Sequence, residues 1–271
     1  MTIAAGFICE NGFLLCADTK ITTTIKTNES KMVHHVSDDG LCSLTFVMSS
    51  DDINFPRATI QACWEFVGRM EFQSATMEAV RNAVQFSLAE FYREHIFPHP
   101  NFEPQSVFQQ LLVGIWLRGE TALFQPHETL LMPVEEYECI GSGAHLGKYL
   151  IRQFEKASSL PATLDEIALI ASCVIEEAIS YDEFCGGEVE TIIVRNNGQV
   201  SSICDSVIYP GREFLTSLQI GGWRLLRRIS ESAITDDAIE EALEDYCDSV
   251  RKTNAVRKVQ LDMIREARNH Q

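Results

Sequence analysis

The chain has 271 residues, a formal net charge of -17 at pH 7 and 45% hydrophobic residues. Its length suits one large domain or two small ones, and its hydrophobic content allows a substantial core. The negative charge argues against a general binder of nucleic-acid backbones or anionic membranes, because such binding needs a basic face. No apolar run approaches the roughly 20 residues that span a bilayer, and no secretory signal is recognisable.

Two short apolar runs at the start of the chain flank Glu10-Asn11-Gly12. Asn-Gly between strand-like runs predicts a hairpin, because both residues tolerate the positive φ of a type I′ turn. The first strand therefore begins almost at the chain start, where Thr2 follows Met1. Removal of Met1, with which a small second residue is compatible, would place a free α-amine beside the Thr2 hydroxyl. Such an amine can activate this weak nucleophile by accepting its proton.

The first half of the chain continues as a second strand pair followed by two helices. Its predicted elements are, in order, a polar loop or irregular edge (22–28), strands (31–36 and 41–48), a helix N-cap region (49–52) and helices (53–70 and 76–96). Hydrophobic side chains recur every three to four residues in the second helix, which Pro98 and Pro100 end.

The second half repeats this order and ends in helices. Its predicted elements are strands (110–117, 121–124, 129–132 and 137–140), helices (from Gly143 to about 156 and 163–180), a hairpin (189–194 and 199–204) and a helical tail broken near Gly221-Gly222 and 230–236. Blocks of strands alternating with helix pairs predict an α+β protein in which helices cover two antiparallel sheets. We expect the highly charged tail to be an appendage used in assembly.

The cysteines and histidines give no sign of disulfides or metal. The nine cysteines include no Cys-x-x-Cys pair and predict buried, reduced thiols in a cytoplasmic protein. His34 and His35 are adjacent in a predicted strand and point to opposite faces. His95 and His99 have helical ligand spacing, but Pro98 lies between them. We therefore expect neither a metal nor another cofactor.

Five segments together form a pattern. Thr2 lies ten residues before the hairpin glycine, and the other segments are Asp18-Thr19-Lys20-Ile21-Thr22, Lys31-Met32-Val33, Gly141-Ser142-Gly143 and Asp182-Glu183-Phe184-Cys185-Gly186-Gly187. In this order and spacing the chain resembles the proteasome β-type threonine hydrolases, including the bacterial HslV and Anbu proteins. Cys185 stands where the family usually has serine.

The resemblance implies the four-layer αββα sandwich of N-terminal-nucleophile hydrolases over residues 1–210. Residues 211–271 match no motif of the family and are predicted to form a C-terminal helical extension. The resemblance also implies a catalytic site. Thr2 would be the nucleophile, Lys31 would lower the pKa of the Thr2 site, and Asp18 would anchor Lys31. Ser142, Asp182 and Cys185 would orient the Thr2 amine and carry protons. A thiol is a weaker hydrogen-bond partner than a hydroxyl, so Cys185 predicts reduced efficiency.

By the same mapping, the backbone N–H of Ser49 is the candidate oxyanion-hole donor. Lys20, Thr22 and Val47 would face the substrate cleft. Serine in place of the family's glycine at the oxyanion position keeps the N–H but narrows the site.

The function implied is a threonine-type endopeptidase that works through an acyl-enzyme in a cytoplasmic homo-oligomeric ring. Its substrate would be a peptide or an unfolded protein, and no partner ATPase can be named. Three alternatives stay open. In the first, the chain would be a catalytically inactive scaffold, which Ser49, Cys185 and a retained Met1 would favour. In the second, it would be an N-terminal-nucleophile amidase that acts on a small amide. Cys185 as nucleophile is the third, but it has no histidine partner in its own segment.

Overall fold

A computed structural model of the chain describes residues 2–22, 26–50, 53–98, 109–157, 163–203, 205–230 and 235–269. The chain divides into two compact units between residues 203 and 204. Helix Asp205–Ile229 begins the second unit, so the boundary proposed after residue 210 falls inside this helix. No helix within the described ranges is long and apolar enough to cross a membrane.

The described residues form twelve strands and six helices. The strands are β1 (Ile3–Cys9), β2 (Gly12–Asp18), β3 (Lys20–Thr22), β4 (Lys26–Asn28), β5 (Met32–Val36), β6 (Cys42–Ser50), β7 (Gln109–Leu117), β8 (Glu120–His127), β9 (Leu130–Pro133), β10 (Tyr137–Gly141), β11 (Val189–Arg195) and β12 (Val200–Ile203). The helices are α1 (Asn54–Val67), α2 (Met77–His95), α3 (Ala144–Ala157), α4 (Leu164–Tyr181), α5 (Asp205–Ile229) and α6 (Asp236–Asn269).

Ten of the strands form two five-stranded antiparallel sheets. The first sheet has the order β10-β1-β2-β11-β12, and the second has the order β5-β6-β7-β8-β9. α3 and α4 pack on the first sheet, whereas α1 and α2 pack on the second. The predicted α+β class and the layered αββα arrangement are therefore confirmed.

Alternation along the strands explains the layers. Ile3, Ala5 and Phe7 of β1 are buried with side chains of α3 and α4, whereas Ala4 lies in a second cluster between the two sheets. Successive residues of a strand point to opposite faces, so a strand buried on both faces must be apolar throughout. β1 meets this requirement along its whole length, and β2 meets it up to Asp18, whose buried carboxylate ends the strand.

The first hairpin exists, but its turn differs from the prediction. Cys9 pairs with Gly12, so the two turn residues are Glu10 and Asn11. Neither has a positive φ, which rules out the expected type I′ turn. Gly12 itself has a φ of 145°, and a Cβ there would lie 2.1 Å from the Val194 carbonyl oxygen. The glycine is needed for close approach to β11.

Three further local predictions were wrong. Within the predicted loop 22–28, Thr22 ends β3 and Lys26–Asn28 forms β4, and Lys20 pairs with Asn28 in this ribbon; residues 23–25 lie outside the described residues. Ser49 and Ser50 belong to β6, and α1 begins after Ile53 without a side-chain cap; Asp51 and Asp52 lie outside the described residues. α5 continues through Gly221-Gly222, and Gly221 faces the Tyr246 ring of α6, where a Cβ would be 2.9 Å away, so this glycine permits close packing of the two helices and does not end α5.

Candidate active site

Thr2, Asp18 and Lys31 meet at one buried corner of the first unit. Thr2 precedes β1, and Asp18 is the last residue of the neighbouring strand β2. The hairpin register brings the two together, and Asp18 Oδ1 accepts hydrogen bonds from the Ile3 N–H and the Thr2 hydroxyl, each at 3.0 Å. The hairpin thus fixes the threonine hydroxyl directly against a carboxylate.

Lys31 reaches the same point from the second sheet. Its Nζ contacts Thr2 Oγ1 and lies 2.7 Å from Asp18 Oδ1. Thr2, Asp18 and Lys31 are 1%, 0% and 4% exposed. Burial lowers the pKa of Lys31 below its ordinary value of 10.5, although Asp18 acts to raise it. The corner therefore joins a nucleophile candidate to a buried ammonium–carboxylate pair.

The second carboxylate oxygen of Asp18 ties the corner to the loop between α4 and β11. Asp18 Oδ2 accepts the Gly186 N–H at 2.9 Å. Lys20 holds the same loop, because its Nζ donates to the carbonyl oxygens of Glu183 (2.7 Å) and Cys185 (3.1 Å). The prediction that Lys20 faces a substrate cleft is therefore not supported, since its ammonium group is occupied by the loop.

Ser142, Asp182 and Cys185 come together on the other side of Thr2. Ser142 Oγ lies 3.4 Å from the Thr2 carbonyl oxygen and 3.8 Å from Cys185 Sγ. The Cys185 thiol donates to Asp182 Oδ2 at 3.4 Å. The structure thus brings the six predicted catalytic side chains into one connected cluster, with Thr2 between the two halves.

Two pKa shifts describe this half of the cluster. Burial raises the pKa of the Cys185 thiol to about 12, and the carboxylates of Asp18 and Asp182 act in the same direction. Such a thiol stays protonated at neutral pH, which argues against Cys185 as the nucleophile. Burial also acts to raise the pKa of Asp182. Hydrogen bonds from the Ser142 hydroxyl, the Phe184 N–H and the Cys185 thiol outweigh burial, so this pKa lies below its ordinary value of 3.8.

A narrow pocket opens beside Thr2 and Lys31. It encloses about 10 Å³, and its lining residues are Thr2, Ile21, Lys31, Met48, Ser50, Ile53 and Pro56. This volume is close to the minimum that holds one water molecule. The pocket borders both Thr2 and Lys31, but it has no room for a group larger than water.

The register of β6 places the predicted oxyanion donor elsewhere. The Met48 N–H donates to the Lys31 carbonyl oxygen at 3.0 Å. Since N–H groups alternate sides along a strand, the Ser49 N–H points toward β7, where Ser49 pairs with Gln110. The Ser50 N–H returns to the side of Lys31. This geometry does not favour Ser49 and moves the candidate donor to Ser50, which lines the pocket.

The structure does not place Val47 or Thr22 at a substrate cleft. Val47 is fully buried in the cluster between the sheets, so it cannot face a cleft. Its neighbour Met48 points the other way and lines the pocket. Thr22 ends β3, but its side chain lies outside the described part of the structure.

Gln110 was missed by the sequence reasoning. Its Oε1 accepts the Gly141 N–H at 2.7 Å and so holds the turn that carries Ser142. Gly141 has a φ of 94°, and a Cβ there would lie 2.0 Å from the Thr2 carbonyl oxygen. A polar residue at the start of an otherwise apolar strand was the one signal that could have identified Gln110.

The histidines form no site with the other residues described. His34 Nδ1 lies 2.8 Å from Thr45 Oγ1, and the His35 ring stacks on Trp64. His99 lies outside the described residues. Within the described ranges, no group of three or more histidine, cysteine, aspartate or glutamate side chains is placed to hold a metal ion.

The layers and the position of Thr2 define the architecture as an αββα sandwich with a threonine at the start of its first strand. Solved structures similar to this chain include Anbu proteins, and the predicted resemblance in fold is confirmed. An Anbu (Gly-1) mutant from Hyphomicrobium sp. strain MC1 has a TM-score of 0.66 and 15% identity, covering 87% of this chain and 100% of the other. Anbu (ancestral beta-subunit) from Yersinia bercovieri has a TM-score of 0.65 and 14% identity, covering 86% and 99%.

The Anbu complex of Pseudomonas aeruginosa, solved as a helical assembly, has a TM-score of 0.63 and 12% identity, with 87% of this chain and 99% of the other covered. The covered share of this chain exceeds the 203 residues of the first unit, so the likeness extends into the helical unit. No protein-family model and no curated protein matches the sequence. At these identities the likeness is one of fold.

Proposed function

We propose that the protein is a threonine-type peptide hydrolase whose nucleophile is Thr2, exposed as the first residue after removal of Met1. The observation that carries the proposal is the contact of Lys31 Nζ with Thr2 Oγ1, with Asp18 Oδ1 within 3.0 Å of both. A hydroxyl beside a buried ammonium group is easier to deprotonate, because the positive charge stabilises the oxyanion that forms.

In the first step, the freed α-amine of Thr2 takes the hydroxyl proton, directly or through a water, while Oγ1 attacks the substrate carbonyl carbon. The resulting tetrahedral oxyanion requires a hydrogen-bond donor, and the end of β6, where Ser50 lines the pocket, is the part of the chain that would supply it. Collapse of the intermediate breaks the C–N bond. The amine product leaves with the proton returned by the Thr2 amine, and the acyl group remains as an ester on Oγ1.

In the second step, water attacks the ester carbonyl and the Thr2 amine accepts its proton. The ester C–Oγ1 bond then breaks while the Thr2 amine returns this proton to Oγ1, so the carboxylic acid product leaves and the hydroxyl of Thr2 is restored. Lys31 stays charged throughout and holds Oγ1, while Asp18 holds Lys31. Ser142, Asp182 and Cys185 orient the threonine and connect its amine to a proton pathway.

The substrate class we propose is a peptide or an unfolded protein, and the working form is a homo-oligomer, with a closed ring as the expected geometry. The solved helical assembly of the Pseudomonas aeruginosa Anbu complex supports self-association. A cytoplasmic location is part of the proposal and rests on cysteine chemistry, since no cysteine in the described part of the chain forms a disulfide.

The test compares the parent with Thr2→Ala and Thr2→Ser on short fluorogenic peptides. Thr2→Ala should lose cleavage by at least about a hundredfold, whereas Thr2→Ser should keep part of it because serine retains a hydroxyl and an α-amine. Intact-mass measurement of the same samples shows whether Met1 is absent. Equal cleavage by the parent and Thr2→Ala, or a parent mass that includes Met1, would overturn the proposal.

The second candidate is a proteasome-like assembly subunit without catalytic activity. The 1% exposure of Thr2 and the small pocket favour it, because a peptide cannot reach the hydroxyl of the full-length chain without rearrangement. A small-amide hydrolase would also fit a narrow pocket. Panels of peptides and of small amides, assayed with the Thr2→Ala control, separate these three functions.

A further inference from the structure

Lys20 occupies an unusual position relative to the proposed catalytic groups. It lies two residues after Asp18, on β3, and its side chain crosses to the loop between α4 and β11. Two carbonyl oxygens of this loop, from Glu183 and Cys185, accept hydrogen bonds from its Nζ. The Lys20 backbone N–H also donates to the Gly186 carbonyl oxygen at 2.9 Å. Lys20 therefore donates hydrogen bonds to three carbonyl oxygens of the loop, those of Glu183, Cys185 and Gly186.

The loop also packs on the aliphatic part of the lysine. A Cβ at Gly186 would lie 2.7 Å from Lys20 Cδ. The loop backbone thus follows the lysine stem before Gly186 donates its N–H to Asp18. Ammonium–carbonyl hydrogen bonds are charge-assisted and stronger than neutral ones, so Lys20 is well suited to hold this segment.

The loop contributes two hydrogen-bond donors to the cluster around Thr2, so its position affects the geometry of that cluster. The Gly186 N–H binds Asp18 Oδ2 at 2.9 Å, and the Asp18 carboxylate in turn holds Lys31 and Thr2. The Cys185 thiol, from the same loop, binds Asp182. A displacement of the loop would therefore reach both halves of the cluster. A misplacement of about 1 Å in such a group can cost on the order of a hundredfold in rate.

We propose that Lys20 is a positioning residue for the Thr2 hydrolase site, acting through the loop 183–186 and the Asp18 carboxylate rather than on substrate. The expected effect of Lys20 on catalysis rests on the proposed function. Its effect on the order of the loop 183–186 does not depend on that function. Lys20 also has an electrostatic effect on the site. Its positive charge lowers the pKa of Lys31, adding to burial, whereas Asp18 and Cys185 act in the opposite direction.

The kinetic test uses Lys20→Met, which keeps the stem and removes the charge, and Lys20→Arg, which keeps the charge. Lys148→Met is the matched control, because Lys148 is a partly exposed lysine of the same unit that pairs with Glu138. Lys20→Met should lower kcat by about tenfold to a hundredfold with little change in KM. Lys20→Arg should recover part of the loss, and Lys148→Met should match the parent. A rise in KM at constant kcat would instead indicate a substrate contact and overturn the proposal.

The pH profile of kcat separates an electrostatic effect of Lys20 from a purely structural one, because loss of structure alone would not shift its alkaline limb. Removing the Lys20 charge should raise the pKa of Lys31 and shift the alkaline limb of the kcat profile to higher pH, whereas Lys20→Arg should leave it in place. An unshifted limb in Lys20→Met would contradict the electrostatic part of the inference.

Hydrogen exchange tests the loop without any activity. In Lys20→Met, peptides covering 182–187 should exchange at least about tenfold faster than in the parent, with little change in β1 and β2. Unchanged protection of these peptides would overturn the positioning role. Because this measurement does not use Thr2, a parent that proves inactive refutes the proposed function and leaves the loop measurement decisive for Lys20.

Discussion

Two sets of ion pairs, one in each unit, show how burial changes the meaning of the same contact. In the first unit, Lys31 and Asp18 lie 2.7 Å apart with side chains 5% and 0% exposed. In the helical unit, Arg228 of α5 meets Glu241 and Asp245 of α6 at 3.2 Å and 3.4 Å, but these three side chains are 44%, 68% and 72% exposed. Water screens the second set, whereas the first is removed from water and depends on its own hydrogen bonds.

The buried pair is costly to form, so its presence calls for a reason beyond stability. Desolvating two charges often cancels their attraction, and apolar replacements of buried pairs can be neutral or stabilising. The site supplies that reason, because Asp18 and Lys31 both contact the Thr2 hydroxyl. The exposed pairs of the α5–α6 hairpin contact no comparable group among the described residues. Burial thus distinguishes the Lys31–Asp18 pair, which contacts the Thr2 hydroxyl, from the exposed ion pairs between α5 and α6.

The largest expected effect comes from Asp18→Ala. The substitution leaves the Lys31 ammonium buried without its carboxylate and removes the acceptor of the Ile3 and Gly186 N–H groups. Loss of one partner of a buried pair costs about 3–5 kcal/mol, so we expect the unfolding free energy in urea to fall by that amount. Asp18→Asn is the control, because it keeps an acceptor oxygen and should cost less. A loss below about 1 kcal/mol in Asp18→Ala would mean that the pair is not desolvated.

The pH dependence of stability should also report burial of Lys31. Its pKa in the folded protein is below 10.5, so between that lowered value and 10.5 the unfolded chain holds a proton that the folded chain has released. Raising the pH through this window therefore favours the folded state. We expect the unfolding free energy of the parent, measured relative to Lys31→Met, to rise with pH over this alkaline range. A difference from Lys31→Met that stays flat over this range would contradict the lowered pKa.

The sequence predicted the elements that periodicity and turn chemistry determine. β1 and β2 follow from two short apolar runs, and α2 follows from hydrophobic side chains that recur every three to four residues. The convergence of the six candidate catalytic residues was predicted because the motifs that carry them follow, in order, those of the family that the chain resembles. Register was not predictable in this way. A shift of one residue along β6 replaces Val47 by Met48 at the pocket and Ser49 by Ser50 as the candidate oxyanion donor. Only the pairing of β6 with β5 and β7 determines which side each residue faces.

The role of Lys20 was missed for a related reason. It lies in the motif beside Asp18, and a charged residue near a cleft suggests substrate contact. Its partners, the carbonyl oxygens of Glu183 and Cys185, are more than 160 residues away in sequence. Backbone carbonyl groups are present at every residue, so no pattern of side chains could identify these partners. Long-range contacts of this kind require the three-dimensional structure.

A moderate increase in kcat/KM is expected from Cys185→Ser. The thiol lies 3.4 Å from Asp182 Oδ2, and a hydroxyl is a better donor to a carboxylate at this position. One improved hydrogen bond is worth about 0.5–1.5 kcal/mol, which corresponds to an increase in kcat/KM of about two- to tenfold. Cys185→Ala removes the donor and should lower kcat/KM instead. Peptide cleavage by the two variants checks the prediction, and a serine variant no faster than the alanine variant would contradict it.

The smallest effect is expected from Arg228→Ala in the helical unit. Its contacts with Glu241 and Asp245 lie in solvent, so each contributes about 0–1 kcal/mol and less as salt screens the charges. A double-mutant cycle with Glu241→Ala, followed by urea unfolding at low and high salt, isolates the pair. A coupling energy as large as the loss in Asp18→Ala would contradict the comparison, because it would show that exposure does not distinguish the two sets of charges. A small coupling that disappears in salt would confirm that the buried corner, and not the density of charge, sets the energetic difference between the units.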